Sequence, residues 1–242
     1  MKAMILAAGK GTRLGEITEK IPKALVEING KTILQMAVEK CTSAGFGEII
    51  VNVHHLADIV ENEVFRLNKA GYSIVVSDER EALLETGGGL FKASYFFNDE
   101  PFLIYNVDII TDLDLSAMLN YHFRMKGLAT LAVRNREGNR FFLVNGNGLL
   151  HGWVNRATEE RTVVRKTTDE LKEIAFSGIH IIDPVIFSFM EEGVYSMTSL
   201  YLQLATGQNI YTFPHDDGYW FDIGTPENLK QVKRIFSDER RK

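Results

Sequence analysis

The chain has 242 residues, of which 45% are hydrophobic and 24% charged, with a formal net charge of -5; it can bury a real core, and disordered, collagen-like and low-complexity classes are excluded. That balance offers no general basic field for nucleic acid or an anionic membrane, and the single cysteine, Cys41, excludes a disulfide framework and a cysteine-based zinc site. No stretch approaches the ~18 apolar residues of a membrane span, and the opening apolar run is strand-length with no cleavage site after it, so a cytoplasmic protein is expected.

The first element is the apolar run 4–8, which stops at Gly9 and suits a strand buried on both faces. A turn at Gly30-Lys31 follows, with Thr32 as the cap of a helix in which Ile33, Met36, Ala37, Lys40, Cys41 and Ala44 share a face before Gly45. The run 49–53 reads as a second strand. Ile59, Val60, Glu63, Val64 and Leu67 then form a helical face ending at Gly71. The run 74–76 is a third strand, and Leu90, Ala93, Ser94 and Phe97 form a helical face that follows Gly87, Gly88 and Gly89. Runs 102–105 and 129–133 are further strands, and between them Leu115, Met118, Leu119, His122 and Phe123 precede Gly127, with Asp112 and Asp114 as caps and dipole partners. Strands alternating with helices of this length predict right-handed βαβ units on a mostly parallel sheet, hence an α/β fold.

The alternation loosens after residue 135. Residues 140–155 read as two short strands around the turn Asn145-Gly146-Asn147-Gly148, and 173–182 as another strand. Pro184 starts a helix reaching about Glu192, residues 198–205 and 226–236 are further helices, and 237–242 form a charged, frayed tail. With no repeat, linker or composition break, the expectation is a single domain over 1–242.

The first strand runs into Leu6-Ala7-Ala8-Gly9-Lys10-Gly11-Thr12-Arg13-Leu14. Glycines let backbone N–H groups approach phosphate oxygens, and Lys or Arg neutralises them. Ligands of open α/β sheets sit at the carboxyl ends of strands, where this loop begins. It is neither common phosphate motif: a dinucleotide fingerprint needs glycine where Leu14 stands, which disfavours an oxidoreductase, and Gly30-Lys31-Thr32 lacks the earlier glycine of a P-loop, with Leu25 in its place. Lys23 follows Pro22, which stiffens the backbone, and can grip a second phosphate as a compact point charge.

Together these residues resemble the signature of the sugar-phosphate nucleotidylyltransferases, the nucleoside-diphosphate-sugar pyrophosphorylases. Gly15-Glu16-Ile17-Thr18 and Ala24 depart from the usual proline-bearing positions of that signature. Glu85-Thr86-Gly87-Gly88-Gly89 resembles the family's base loop, Asn106-Val107-Asp108 its strand-end metal segment, and Trp220-Phe221-Asp222-Ile223-Gly224-Thr225-Pro226 the late segment with the second metal carboxylate. The closest likeness is to compact N-acetylmuramate-1-phosphate uridylyltransferases, with mannose- and heptose-phosphate guanylyltransferases as neighbours.

The resemblance implies a three-layer, Rossmann-like, glycosyltransferase-A-like fold, with 1–135 the nucleotide-binding part and 136–236 the sugar-binding part carrying the second metal carboxylate. It implies an NTP and a sugar 1-phosphate as substrates, Mg2+ as cofactor, and a monomer or small homo-oligomer. Asp108 and Asp222 would hold the metal. Arg13 would face the leaving pyrophosphate, and Lys23 the α-phosphate or sugar phosphate. Leu6, Ala7, Ala8, Gly9, Gly11, Thr12 and Arg13, with Glu85, Thr86, Gly87 and Gly88, would bind the nucleotide. The attacking phosphate is already anionic, so no general base is needed.

On the sugar side, Asn106, Ser177 and Gly178 are expected, with Asn52 and Asn155 as further candidates. The family's Glu-Lys-Pro lysine has no counterpart between 140 and 180, and Arg140, Arg165 and Lys166 are left as sources of that charge. With twenty residues after Asp222, no acetyltransferase domain is expected. Glu85 stands where guanylyltransferases have glycine, which favours UTP, with GTP next. A cytidylyltransferase and a binding module without turnover are the alternatives; the second would lack Asp108, Asp222, Arg13 or Lys23, and all four are present.

Overall fold

The structure is a computed structural model and describes residues 1–15 and 17–239. Its strands are β1 (Lys2–Leu6), β2 (Glu27–Ile28), β3 (Lys31–Thr32), β4 (Glu48–Val53), β5 (Ser73–Asp78), β6 (Phe102–Asn106), β7 (Ile109–Thr111), β8 (Ala129–Arg134), β9 (Arg140–Val144), β10 (Leu150–Asn155), β11 (Glu160–Val163), β12 (Lys172–Ile182), β13 (Ile210–Pro214) and β14 (Trp220–Asp222). Its helices are α1 (Ile17–Lys20), α2 (Ile33–Ser43), α3 (Ala57–Lys69), α4 (Glu85–Lys92), α5 (Leu115–Met125), α6 (Met197–Leu204) and α7 (Pro226–Glu239).

The central sheet is α/β in character. β1 lies between β4 and β6, all parallel, with Met4 level with Ile50 and Ile104, and β5 extends the parallel half beyond β4. β12 runs antiparallel to β6 and to β8, so β8 points the same way as β1 and β6, and β13 pairs parallel to β8. The first residues of β12 pair instead with β9, which opens the antiparallel run β9, β10, β11. A register shift between Phe176 and His180 lies within β12, and there Gly178 takes a φ of 80°.

Period-two alternation splits the apolar strand residues between two faces. Ile5, Val51 and Leu103 pack in one cluster with Leu34 and Val38 of α2, Val64 and Leu67 of α3 and Met118 of α5. Met4, Ile50 and Ile104 pack in the other with Leu90 of α4 and Leu200, Tyr201 and Leu204 of α6. The sheet is thus the middle of three layers, which places the strand ends, rather than the faces, at the disposal of ligands.

Several local expectations shift. In α2 the buried face is Ile33, Leu34, Ala37, Val38 and Cys41, with Met36 and Lys40 at its edge. In α3 Ala57, Val60, Val64 and Leu67 face the core, and Ile59 is exposed. The glycines 87–89 lie inside α4, not before it. The helix expected from Pro184 to Glu192 is a 3-10 helix, Pro184–Phe189; among its residues Ile186 alone is buried, too little apolar face to hold a longer α-helix. Thr32 and Asp114 cap α2 and α5 as expected, by accepting the Gln35 and Ala117 N–H groups. Asp112 does not cap α5; its carboxylate accepts the Tyr219 N–H at 2.9 Å and ties β14 to the segment after β7. The tail expected to fray lies partly outside the described residues. No helix among those described is long and apolar enough to cross a membrane.

Candidate active site

A cleft of about 320 Å³ opens at the carboxyl ends of β1, β4 and β6. The loop after β1 forms its floor, with Leu6, Ala7, Ala8, Gly9, Gly11, Thr12 and Arg13 all lining it. Gly11 has a φ of 65°, and a Cβ there would stand 2.9 Å from Thr18 and 3.2 Å from Lys23. Glycine at this place lets the loop lie against the Lys23 segment. Leu14, 2% exposed, anchors the following turn in the core while Arg13 reaches outward.

Lys23 Nζ donates to Asp108 Oδ2, and both side chains are mostly buried in the cleft wall. The second carboxylate arrives by a two-stranded ribbon. β14 pairs antiparallel with β7, Asp222 stands level with Ile109, and the Ile223 N–H donates to Asp108 O at 3.0 Å. Asp108 and Asp222 are therefore neighbours despite their separation in sequence. Asp222 Oδ1 accepts the Gly224 N–H at 2.7 Å, and its Oδ2 lies 3.9 Å from Arg13 Nη2. A Cβ at Gly224 would come within 2.6 Å of Arg13, so this glycine makes room for the guanidinium.

The donor set suits one kind of metal. Among the described residues no group of three or more His, Cys, Asp or Glu gathers to hold an ion. Two carboxylates, each facing a cation beside a phosphate-type loop, are a hard oxygen set for Mg2+, which keeps waters and takes phosphate oxygens as its other ligands. Asn106 lines the same cleft, and its Oδ1 is buried with no hydrogen-bond donor.

Behind the loop is a buried relay that sequence reading missed. Asn52 Oδ1 accepts the Ala7 and Ala8 N–H groups at 2.7 and 3.3 Å, and its Nδ2 donates to Glu79 Oε1 at 2.8 Å. Glu79 Oε2 accepts the Leu84 N–H at 3.3 Å. Burial pushes the Glu79 carboxyl above its ordinary value. Two of the amides expected to read a base are thus already engaged, and Asn52 lines the same cleft as the glycine loop. Glu79 follows β5, so the strand-end rule that picked out Asn106 and Asp108 would also have found it.

Glu85 and Thr86 line the cleft as expected. Glu85 takes a φ of 62°, a left-handed conformation that favours glycine. Thr86 Oγ1 accepts the Met197 N–H at 2.8 Å. Gly87 and Gly88 do not line the cleft. A Cβ at Gly87 would lie 2.5 Å from the Tyr195 ring, and one at Gly88 2.0 Å from Gly193 O, so these glycines serve the close approach of α4 to residues 193–195.

On the sugar side, Asn106 lines the cleft, and Ser177 and Asn155 do not. Ser177 is fully buried, its hydroxyl 2.7 Å from His215 Nε2 and its carbonyl accepting the Trp220 Nε1–H. Asn155 Oδ1 accepts the Ala157 N–H and shapes the turn after β10. A Cβ at Gly178 would stand 2.9 Å from Ile109 and 3.0 Å from Asn106, so that glycine sets the approach of β12 to the cleft. Arg165 is consumed by Ala205 O, Gln208 O and Asn209 Oδ1. Arg140 lines a second cleft, of about 500 Å³, between the β9–β10 strands and α6; Lys166 lines neither cleft.

Comparison with known proteins agrees with this geometry. Residues 2–239 match the nucleotidyl transferase family. The chain is 28% identical to an N-acetylmuramate alpha-1-phosphate uridylyltransferase of Neisseria meningitidis, over 97% of this chain and 98% of the relative. It is 30% identical to the protein of the same name from Caulobacter vibrioides, over 93% and 92%. A mannose-1-phosphate guanyltransferase beta-A of Xenopus laevis is also 30% identical, over 95% of this chain and 62% of that relative. The crystal structure of the inositol-1-phosphate CTP transferase of T. maritima superposes with a TM-score of 0.78 at 19% identity, over 98% of this chain and 94% of that one, which shows the shared fold. The glycine loop, the two carboxylates and the match along nearly the whole chain agree: the protein belongs to the nucleotidyl transferase family and is a sugar-1-phosphate nucleotidylyltransferase.

Proposed function

We propose that the chain transfers a uridylyl group from UTP to a sugar 1-phosphate, with N-acetylmuramate 1-phosphate the first candidate, and that Mg2+ assists. The observation that carries this reading is the pairing of Lys23 with Asp108 in the cleft at the end of the glycine loop, and of Arg13, which lines the same cleft, with Asp222 at its edge. An oxygen of the sugar phosphate attacks the α-phosphorus in line, the bond from that phosphorus to the bridging oxygen breaks, and pyrophosphate leaves with the electron pair. The nucleophile carries its own negative charge, so no residue needs to take a proton. Lys23 neutralises the α-phosphate region, and Arg13, more exposed, meets the departing pyrophosphate. Asp108 and Asp222 would hold Mg2+, which when bound would supply further neutralisation of phosphate oxygens. The preference for UTP is supported by two relatives named as uridylyltransferases and by Glu85 at the cleft, which adds an acceptor and a negative charge near the base. In this reading residues 1–242 act as one domain, monomeric or in a small homo-oligomer.

A matrix of four nucleoside triphosphates against N-acetylmuramate, glucose and mannose 1-phosphates, read by pyrophosphate release, tests the reading. UTP with N-acetylmuramate 1-phosphate is expected to turn over fastest. A GTP rate more than about tenfold above the UTP rate on the same sugar 1-phosphate would overturn the preference. Asp108→Ala and Asp222→Ala are expected to remain folded by circular dichroism and to lose turnover; near-wild-type activity in either would remove the metal assignment.

A further inference from the structure

The second cleft has Phe142, Trp153 and Phe176 in its walls, the apolar and aromatic lining on which a sugar ring packs. One residue joins it to the depression that holds Asp222. Arg136 lines this cleft and also the depression that holds Trp220 and Asp222, and among the described residues no other lines both. It follows β8, whose carboxyl end faces the same way as those of β1 and β6.

The guanidinium is held without being saturated. It lies 4.7 Å from the centre of the Trp220 ring, Nη2 donates to Phe176 O at 3.0 Å, and Nη1 donates to Glu137 O at 3.1 Å. Its Nε–H is buried with no partner. Burial disfavours its charge, and Asp222 is the neighbouring charge that opposes this. The other cations of this half are committed elsewhere or stand apart. Arg156 and Arg161 pair with Glu173, and Arg165 is spent on carbonyls beside α6. Arg134 also lines the Asp222 depression and has a buried Nη1 without a partner, but its Nη2 donates to Asp216 O and Gly218 O and it does not line the aromatic cleft. Arg140 lines the sugar-side cleft but not the Asp222 depression.

We propose that Arg136 is the residue that grips the phosphate of the sugar 1-phosphate, with the sugar ring in the aromatic cleft beside it. The inference rests on the proposed function and deepens it. Arg136 lines both depressions, no carboxylate among the described residues pairs with it within salt-bridge distance, and a phosphate seated there offers oxygens that fit the planar guanidinium. The arrangement also separates the two anions: Lys23 and Arg13, which line the first cleft, serve the nucleotide, and Arg136, which lines the second cleft and the Asp222 depression, serves the attacking phosphate. Arg136 thus supplies the charge that the missing Glu-Lys-Pro lysine leaves open.

The test uses the full chain and whichever of N-acetylmuramate, glucose or mannose 1-phosphate the wild type turns over fastest. Arg136→Gln is expected to raise the KM for that sugar 1-phosphate on the order of tenfold or more. The KM for the nucleotide should stay within about twofold, and Arg136→Lys should recover part of the loss. An unchanged KM for the sugar 1-phosphate overturns the proposal. So does an equal rise in both KM values, which marks a residue that only supports the fold. If Arg136→Gln gives no folded protein by circular dichroism, Arg136→Lys decides by the same split, because it keeps the charge and loses the fork. A wild-type chain that turns over none of the three sugar 1-phosphates with any nucleotide overturns the proposed function and this inference with it, an outcome distinct from the others.

Discussion

Glu85 and Asn52 show how much of the first cleft rests on single side chains. The left-handed backbone at Glu85 costs an L residue about 1–2 kcal/mol. Glu85→Gly is therefore expected to leave stability unchanged or raise it by up to ~1 kcal/mol in urea titrations. It is also expected to narrow the preference for UTP over GTP, by an amount within the ~1–3 kcal/mol that one contact contributes. A variant that is clearly less stable and has the same nucleotide preference would contradict both halves. Asn52 holds two loop amides and one oxygen of a buried carboxyl. Asn52→Leu strands all three, and a loss of about 2–4 kcal/mol with a raised KM for nucleotide is expected. Glu85 and Thr86 were legible from their motif. The role of Asn52 was not, because its partners come from two other strand ends that meet only in the folded sheet.

At the scale of elements, the contact between α4 and the segment before α6 decides what the glycine triplet is for. Replacing glycine by alanine inside a helix ordinarily stabilises by ~0.5–1 kcal/mol. Gly88→Ala is expected to do the reverse, because its Cβ would stand 2.0 Å from Gly193 O. A loss of about 2–4 kcal/mol should appear as a lower urea midpoint. Gly47→Ala, where a Cβ would meet nothing within 4 Å, is the control and should change little. The sequence shows three glycines at a helix start and suggests close approach to a ligand. The close approach is real, but Gly87 and Gly88 meet Tyr195 and Gly193, and Gly89 meets Glu79 and Asn52, neighbours distant in sequence that no local spacing can reveal. For the same reason the parallel strands of the first half were readable from buried apolar runs. The reversal of β12 was less so, because its direction is set by its pairing with β6 and β8.

Across the whole molecule, buried histidines make stability depend on acidity. Burial holds His122, His180 and His215 below their ordinary value of 6.5, and His180, which meets the Tyr201 hydroxyl at 2.7 Å, is pushed down to about 3. The unfolded chain takes up these protons as the pH falls below 6.5, while folded His180 resists until about 3. The stability it contributes is therefore complete above that upper value and is lost as the pH falls toward the lower one. Between pH 7 and pH 4.5 the loss from His180 is about 2–3 kcal/mol, and His180→Gln should show a correspondingly shallower decline in urea midpoint. Equal slopes in the two proteins would place the acid sensitivity elsewhere. The pairing of β7 with β14 has a consequence for synthesis. The glycine loop, Lys23 and Asp108 leave the ribosome early, but Asp222 is nearly the last part of the site to be made, and it reaches Asp108 only when β14 closes onto β7. A nascent or prematurely terminated chain that stops before Trp220 carries only one of the two carboxylates, and it also lacks Ile223, Leu229 and Val232, which pack in the same core cluster as Ile5 and Val51. Fragments ending before Trp220 are therefore expected to be inert in turnover and less stable than the full chain.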